Sequence, residues 1–168
     1  MTAPFKTLRL AASDEFIIHK SRFIGYASPA QTEEEALAFL QSIRMKHKDA
    51  THNCYAYVIG RNAGVMRYSD DGEPGGTAGL PMMEVLKAQG VVNCCVVVTR
   101  YFGGVLLGAG GLVRAYTQGC AAALKAGAVF LGDEKITDFA SAVTADMIGP
   151  DGLMLKKGKK GFRRLVLA

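Results

Sequence analysis

No segment of this sequence is long and apolar enough to span a membrane. The longest apolar run, around Val91 to Val98, is interrupted by Asn93 and falls far short of the roughly 20 residues a span needs. Met1 to Arg9 lacks an apolar signal core and a small-residue cleavage site, so nothing asks for export and the expected setting is the cytoplasm. Cysteine is scarce: Cys54, Cys94, Cys95 and Cys120 are the four present, and none forms a CxxC pair. That argues against a disulfide framework or a zinc site and reads the thiols as small reduced hydrophobes. Acid is missing from residues 156–168, where Lys156, Lys157, Lys159, Lys160, Arg163 and Arg164 supply the bases. Taking those six from the 20 Lys and Arg leaves 14 against 15 Asp and Glu, a net of −1 for residues 1–155 in a chain of net +5. The basic balance therefore belongs to the tail, and charge alone does not make the domain a nucleic-acid binder.

What remains is ordinary globular composition, 49% hydrophobic and 21% charged over 168 residues, enough for one packed domain and a small second one. Phe16 to Tyr26 alternates imperfectly and predicts one bent strand or a strand pair. Thr32 is an N-cap, Glu33 to Glu35 fill a first turn and Glu35 stands at the capping-box position. The helix they start is expected to reach about Lys48 and to bury Ala36, Leu37, Leu40, Ile43 and His47. Cys54 to Ile59 and Val65 to Tyr68 predict a hairpin across Arg61-Asn62-Ala63-Gly64. Leu80 to Gln89 predicts a short helix with Pro81 in its first turn, and Cys94 to Arg100 a central strand covered on both faces. Leu112 to Lys125 predicts a helix ended by Gly127, with Val129 to Leu131 as a last strand. Irregular alternation of strands and helices favours an α+β two-layer sandwich over a doubly wound sheet. After Gly132 the pattern decays, Ile136 to Ala145 offers one more strand, and 156–168 reads as a disordered basic tail.

Two glycine-rich loops hold the residues that bear chemistry. The first runs Ser69-Asp70-Asp71-Gly72-Glu73-Pro74-Gly75-Gly76-Thr77-Ala78-Gly79. Its carboxylates suit a hard cation or acid–base work, but the EF-hand spacing is absent, and acids between glycines commonly cap their own backbone. The second leaves the central strand as Thr99-Arg100-Tyr101-Phe102-Gly103-Gly104 and continues through Gly108, Gly110 and Gly111 to Arg114. Backbone N–H groups at a helix start can cradle an anion, two arginines can pair with phosphate, and two rings can stack on bases. No Lys-Ser/Thr pair follows, and Val113 stands where the dinucleotide fingerprint needs glycine. The same glycines also suit close backbone packing. His52 lies near the acidic loop, as a proton-transfer partner or as a structural hydrogen bonder. No serine or cysteine has a nucleophile setting, and no cofactor or metal is expected.

Ser21-Arg22-Phe23, the run Asp49 to Ala56, the acidic loop and the run Thr99 to Tyr116 together resemble the YigZ/Impact family over residues 5 to 131. RYFGG followed by LGAGGLVRAY is the most specific of these motifs. The resemblance implies an N-terminal domain, 1–131, with the ribosomal protein S5 domain 2-like fold. It also implies a translation-linked, non-catalytic regulator, binding RNA, the ribosome or a translation-associated protein. The kinases that share the fold suggest the alternative, an enzyme holding phosphate or nucleotide between the two loops. Eukaryotic relatives act by competing for an activator of a stress-responsive initiation-factor kinase. By similarity, Asp70, Asp71, Glu73, Arg100 and Arg114 line the shared surface. Gly75 departs from the serine usual in the family. Residues 132–155 are expected to be a remnant of a ferredoxin-like second domain, cut short or read in an altered frame.

Overall fold

The computed structural model describes residues 5–131, 153–157 and 161–165. In chain order the elements are β1 (Lys6–Leu8), β2 (Ala12–Ile18), β3 (Ser21–Pro29), α1 (Glu33–Lys46), β4 (His52–Ile59), β5 (Val65–Ser69), α2 (Gly79–Gln89), β6 (Cys94–Tyr101), α3 (Gly108–Ala126), β7 (Val129–Leu131), β8 (Leu153–Lys157) and β9 (Gly161–Leu165). Five strands form an antiparallel sheet in the order β2-β3-β6-β4-β5. β6 sits at its centre because every second residue faces a different core. Cys94, Val96 and Val98 join Met82, Leu86, Tyr116, Cys120 and Leu124 on the α2/α3 side. Cys95 and Val97 join Ala36, Leu40 and Ile43 of α1 on the other. Burying one such aliphatic side chain stabilises by about 1.5–3 kcal/mol, so β6 anchors both layers. The sheet and the α2/α3 layer make the expected α+β sandwich, and α1 covers the opposite face. All four cysteines are free and buried.

Several elements differ in detail from the pattern. The Phe16–Tyr26 segment is a strand pair, closed by His19 and Lys20 with φ of 45° and 67°. Positive φ at both central residues is the turn geometry that matches strand twist. In α1 Leu37 is 44% exposed, since it lies one residue off the Ala36–Leu40–Ile43 stripe. Glu35 reaches the backbone N–H of Gln31 at 2.6 Å, not that of Thr32, while Thr32 Oγ1 accepts from Glu35 N at 3.1 Å. The helix ends at Lys46 with His47 as its C-cap, two residues before Lys48. Helix α3 begins at Gly108, not Leu112, so half of the expected second loop is helical. Glycine there costs roughly 1 kcal/mol per residue against alanine, and the buried face from Leu112 to Leu124 outweighs it. β1 is too short to show a period in the sequence; it pairs with β7. Lys156, Lys157 and Gly161–Leu165, expected in an unordered tail, belong to the antiparallel pair β8–β9. Ile136 to Ala145 lies outside the described residues.

Candidate functional site

Both glycine loops meet at the end of the sheet where β6 finishes and β4 begins, with His52 opposite Arg100 in register. Each acid of the first loop has a protein partner. Asp70 Oδ1 accepts from the backbone N–H of Ala78 and Gly79 at 3.1 and 2.9 Å, and Oδ2 from Gly76 at 3.0 Å. This carboxylate serves the start of α2, whose own N-cap, Ala78, has no side-chain oxygen to offer. Burial alone would push its carboxyl up, but the N–H donors of Gly76, Gly79 and Ala78 outweigh that and hold it below the usual carboxylate range. Asp71 Oδ2 accepts from Asn53 N at 2.7 Å, which ties the loop to β4. Thr77 is buried, and its hydroxyl donates to the Pro74 carbonyl.

Glu73 turns inward. Its side chain is 2% exposed, and Oε1 accepts from Arg100 Nη1 at 2.7 Å. Oε1 also accepts from the Tyr116 hydroxyl at 2.6 Å. Burial first, then Cys54 and Glu73, push the Tyr116 hydroxyl up, so it remains a donor. His52 Nδ1 lies 2.8 Å from the Asp71 carbonyl, which can only accept, so that nitrogen carries a hydrogen. The His52 Nε2 lies 3.6 Å from Glu73 Oε2. Sequence left His52 either as a proton-transfer partner or as a structural hydrogen bonder, and in the structure it bonds the Asp71 carbonyl and has one acidic side chain within 4 Å of its other nitrogen. The carboxylate is Glu73.

Arg100, read from sequence as open to phosphate, is buried against Glu73. Its Nη2 donates to Ser21 Oγ at 3.4 Å, and its guanidinium lies over the rings of Phe23 and Phe102. Its Nε is buried without a partner among the described residues. An incoming anion would have to displace Glu73 to reach it. The physical reason is strand alternation: Arg100 shares the face of Val96 and Val98, which α3 covers. Tyr101 points to the α1 side. There its hydroxyl donates to Asp49 Oδ1 at 3.1 Å, and His47 Nδ1 lies 2.6 Å from it. Sequence reading placed His47 in the core and missed this chain, which continues from His47 Nε2 to the Tyr26 hydroxyl at 2.6 Å.

The glycines divide between packing and exposure. A Cβ on Gly103 would lie 2.0 Å from the Lys20 carbonyl oxygen, so this position exists for backbone contact. Gly104 and Gly108 have φ of 87° and 73° with open space around them. Gly108, Gly110 and Gly111 form the first turn of α3, which has no side-chain cap and no acid. Arg114 is exposed one turn further on, its guanidinium near Gly110. Phe102 is exposed too, with its N–H donated to Thr51 Oγ1 at 2.9 Å. Of the expected surface, then, Phe102, Gly104, Gly108, Gly110 and Arg114 face solvent; Arg100 and Gly103 do not. No group of three His, Cys, Asp or Glu suited to a metal occurs among the described residues. Among them, no helix is long and apolar enough to cross a membrane.

Three comparisons fit this arrangement. IMPACT family member YvyE of Bacillus subtilis is 54% identical over 116 residues, 69% of this chain and 54% of that protein. IMPACT family member YigZ of Escherichia coli is 48% identical over 110 residues, 64% of this chain and 54% of that one. The chain therefore spans about half the length of these relatives. A crystal structure described only as that of a hypothetical protein superposes with TM-score 0.73 and 40% identity, over 77% of this chain and 64% of the other. The S5 domain 2-like α+β fold read from the motifs is the one observed. The Impact N-terminal domain model matches residues 19–124, so the chain belongs to the Impact family.

Proposed function

We propose that this chain is a non-catalytic, translation-linked regulator of the cytoplasm, and that residues 1–131 form its binding domain. Its ligand is RNA, the ribosome or a translation-associated protein. The observation that carries the reading is the exposed start of α3: an uncapped, acid-free first turn of glycines near Arg114, following a loop that exposes Phe102. Unpaired N–H groups there, reinforced by the helix dipole, favour a negatively charged ligand group. The implied role of the eukaryotic relatives supplies the link to translation. Asp70, Asp71 and Glu73 are engaged by Ala78, Asn53 and Arg100, which favours binding over cation-assisted chemistry.

Ribosome co-sedimentation across a salt series tests this. The intact chain is compared with Arg114→Ala and with a variant in which Lys156, Lys157, Lys159 and Lys160 are all Gln. The expected result is that Arg114→Ala weakens pelleting and flattens its salt dependence while the lysine variant pellets like the parent. If only the lysine variant loses binding, basic residues outside the domain hold ribosomal RNA and the reading fails.

A further inference from the structure

Phe102 is 45% exposed, yet its surroundings hold it in place. Its own N–H donates to Thr51 Oγ1 at 2.9 Å, and the next one, that of Gly103, donates to Ser21 Oγ at 3.2 Å. Gly103 also packs so closely on the Lys20 carbonyl that no Cβ fits there. The ring meets a second fixed group. The Arg100 guanidinium lies over it, 5.3 Å from its centre, and over the buried Phe23 ring at 5.6 Å. Arg100 is itself buried and bound through Nη1 to Glu73 at 2.7 Å. Phe23, Arg100 and Phe102 thus form a series of contacts whose inner members are buried and whose last ring reaches solvent. Shielding the Glu73–Arg100 pair from water uses the inner side of that ring alone.

The chemistry of the outer side follows from the inner one. A cation over one face of an aromatic ring draws π density toward itself, so the opposite face disfavours a second cation and suits an electron-rich flat group. Charge around the loop narrows the class of that group. Residues 102–107 hold no acid. Lys20, whose backbone meets Gly103, and Arg114, in the helix the loop enters, are exposed cations with no ion pair among the described residues. A presented ring with free cations near it matches bases joined by phosphates; an aromatic side chain of a protein brings no charge for those cations.

We propose that Phe102 is a stacking platform for an unpaired base of single-stranded RNA, with Arg100 as the buried positioning residue behind the ring and Lys20 and Arg114 serving the neighbouring phosphates. The inference rests on the reading of the chain as a translation-linked binding protein and gives its ligand a class. Duplex bases are already stacked on one another, so the strand must be single.

The test is fluorescence anisotropy of the full chain with two labelled probes, an oligoadenylate of about 12 nucleotides and an abasic phosphodiester oligomer of the same length. Both carry the same charge, so basic residues anywhere in the chain attract them alike and the difference between them reads the bases. The parent is expected to bind the oligoadenylate about tenfold more tightly than the abasic oligomer. Phe102→Leu, whose fold is checked by its melting temperature, should remove that difference, and Phe102→Trp should keep it. Glu73→Gln/Arg100→Met, which leaves the ring in place without the cation behind it, should narrow the difference while the abasic oligomer binds as before. A difference that survives Phe102→Leu overturns the proposal, as does a parent that binds the two probes equally. A difference untouched by the double variant overturns the role of Arg100. If Phe102→Leu stops ribosome co-sedimentation while the parent ignores the bases, the ring faces protein: the RNA proposal fails and the wider reading stands.

Discussion

Glu73 and Arg100 meet inside the α3 side of the sheet, oxygen to nitrogen 2.7 Å apart, with side chains 2% and 6% exposed. Twenty-seven residues separate them in sequence. The pair joins the acidic loop to the central strand, and the Tyr116 hydroxyl adds α3 to the same carboxylate oxygen. Removing one partner leaves a buried charge without its counterion. Glu73→Ala and Arg100→Ala are each expected to lower unfolding free energy by about 3–5 kcal/mol in urea titrations. The double variant Glu73→Gln/Arg100→Met should lose much less than the sum, because neither charge is stranded. Additive losses would show that the two residues act separately.

Two glycines of the signature loops should respond oppositely to a small side chain. At Gly103 a Cβ would fall 2.0 Å from the oxygen and 2.1 Å from the carbon of the Lys20 carbonyl, both backbone atoms that cannot step aside. Gly103→Ala is expected to destabilise by more than about 2 kcal/mol. Gly75 has nothing within 4 Å of the same virtual atom and no positive φ. Gly75→Ser should therefore be neutral or stabilise slightly, by up to about 1 kcal/mol through the unfolded chain. Thermal melting of the two variants side by side checks both directions.

Asp70 caps a helix eight and nine residues beyond itself, through Ala78 and Gly79. Its carboxyl is held below the ordinary value of 3.8, so the folded state releases its proton more readily than the unfolded chain does. The stability this contributes is present above that value and is lost as pH falls through the lower, folded value. Asp70→Ala should cost about 0.5–2 kcal/mol at neutral pH. The gap between variant and parent should close on acidification below 3.8. A gap that stays constant into acid would mean that the cap does not depend on the carboxylate charge.

Much of this was legible from residue order, and the misses share a cause. The central strand could be read because Cys94 to Val98 is buried on both sides and so shows an unbroken apolar run. The start of α1 could be read because Thr32 and three glutamates are a local signal. The two loops are legible as motifs, but nothing in the sequence tells their arginines apart. Only strand alternation set against the position of α3 turns Arg100 inward while Arg114 stays out. The His47 chain was hidden for a similar reason: Tyr26, His47, Asp49 and Tyr101 come from three separate parts of the sequence and meet only after the sheet forms. The start of α3 was misplaced because glycines argue against helix locally while the packing that overrides them lies further along.

That chain of hydrogen bonds has a direction, and the direction predicts a pH response. Asp49 can only accept, so the Tyr101 hydroxyl donates to it and must accept from His47 Nδ1. A neutral His47 then receives the Tyr26 hydroxyl proton at Nε2, and every group is satisfied. Adding a proton to Nε2 makes it a donor, so the Tyr26 hydroxyl must rotate to accept from it, and it places a charge in a ring that also has Lys46 and Arg22 as neighbours. Burial first, and then those two cations, push His47 below its ordinary 6.5, against an opposing pull from Asp49. The unfolded chain therefore binds this proton more readily than the folded one. Stability should be full above 6.5 and decline as pH falls toward the lower folded value. His47→Gln should flatten that decline while lowering stability at neutral pH by about 1–3 kcal/mol for the hydrogen bonds it cannot remake. Urea titrations of parent and variant at stepped pH, with the His47 ring followed by NMR, decide it: a His47 that titrates above 6.5 would reverse the sign and place a charged ring in this pocket.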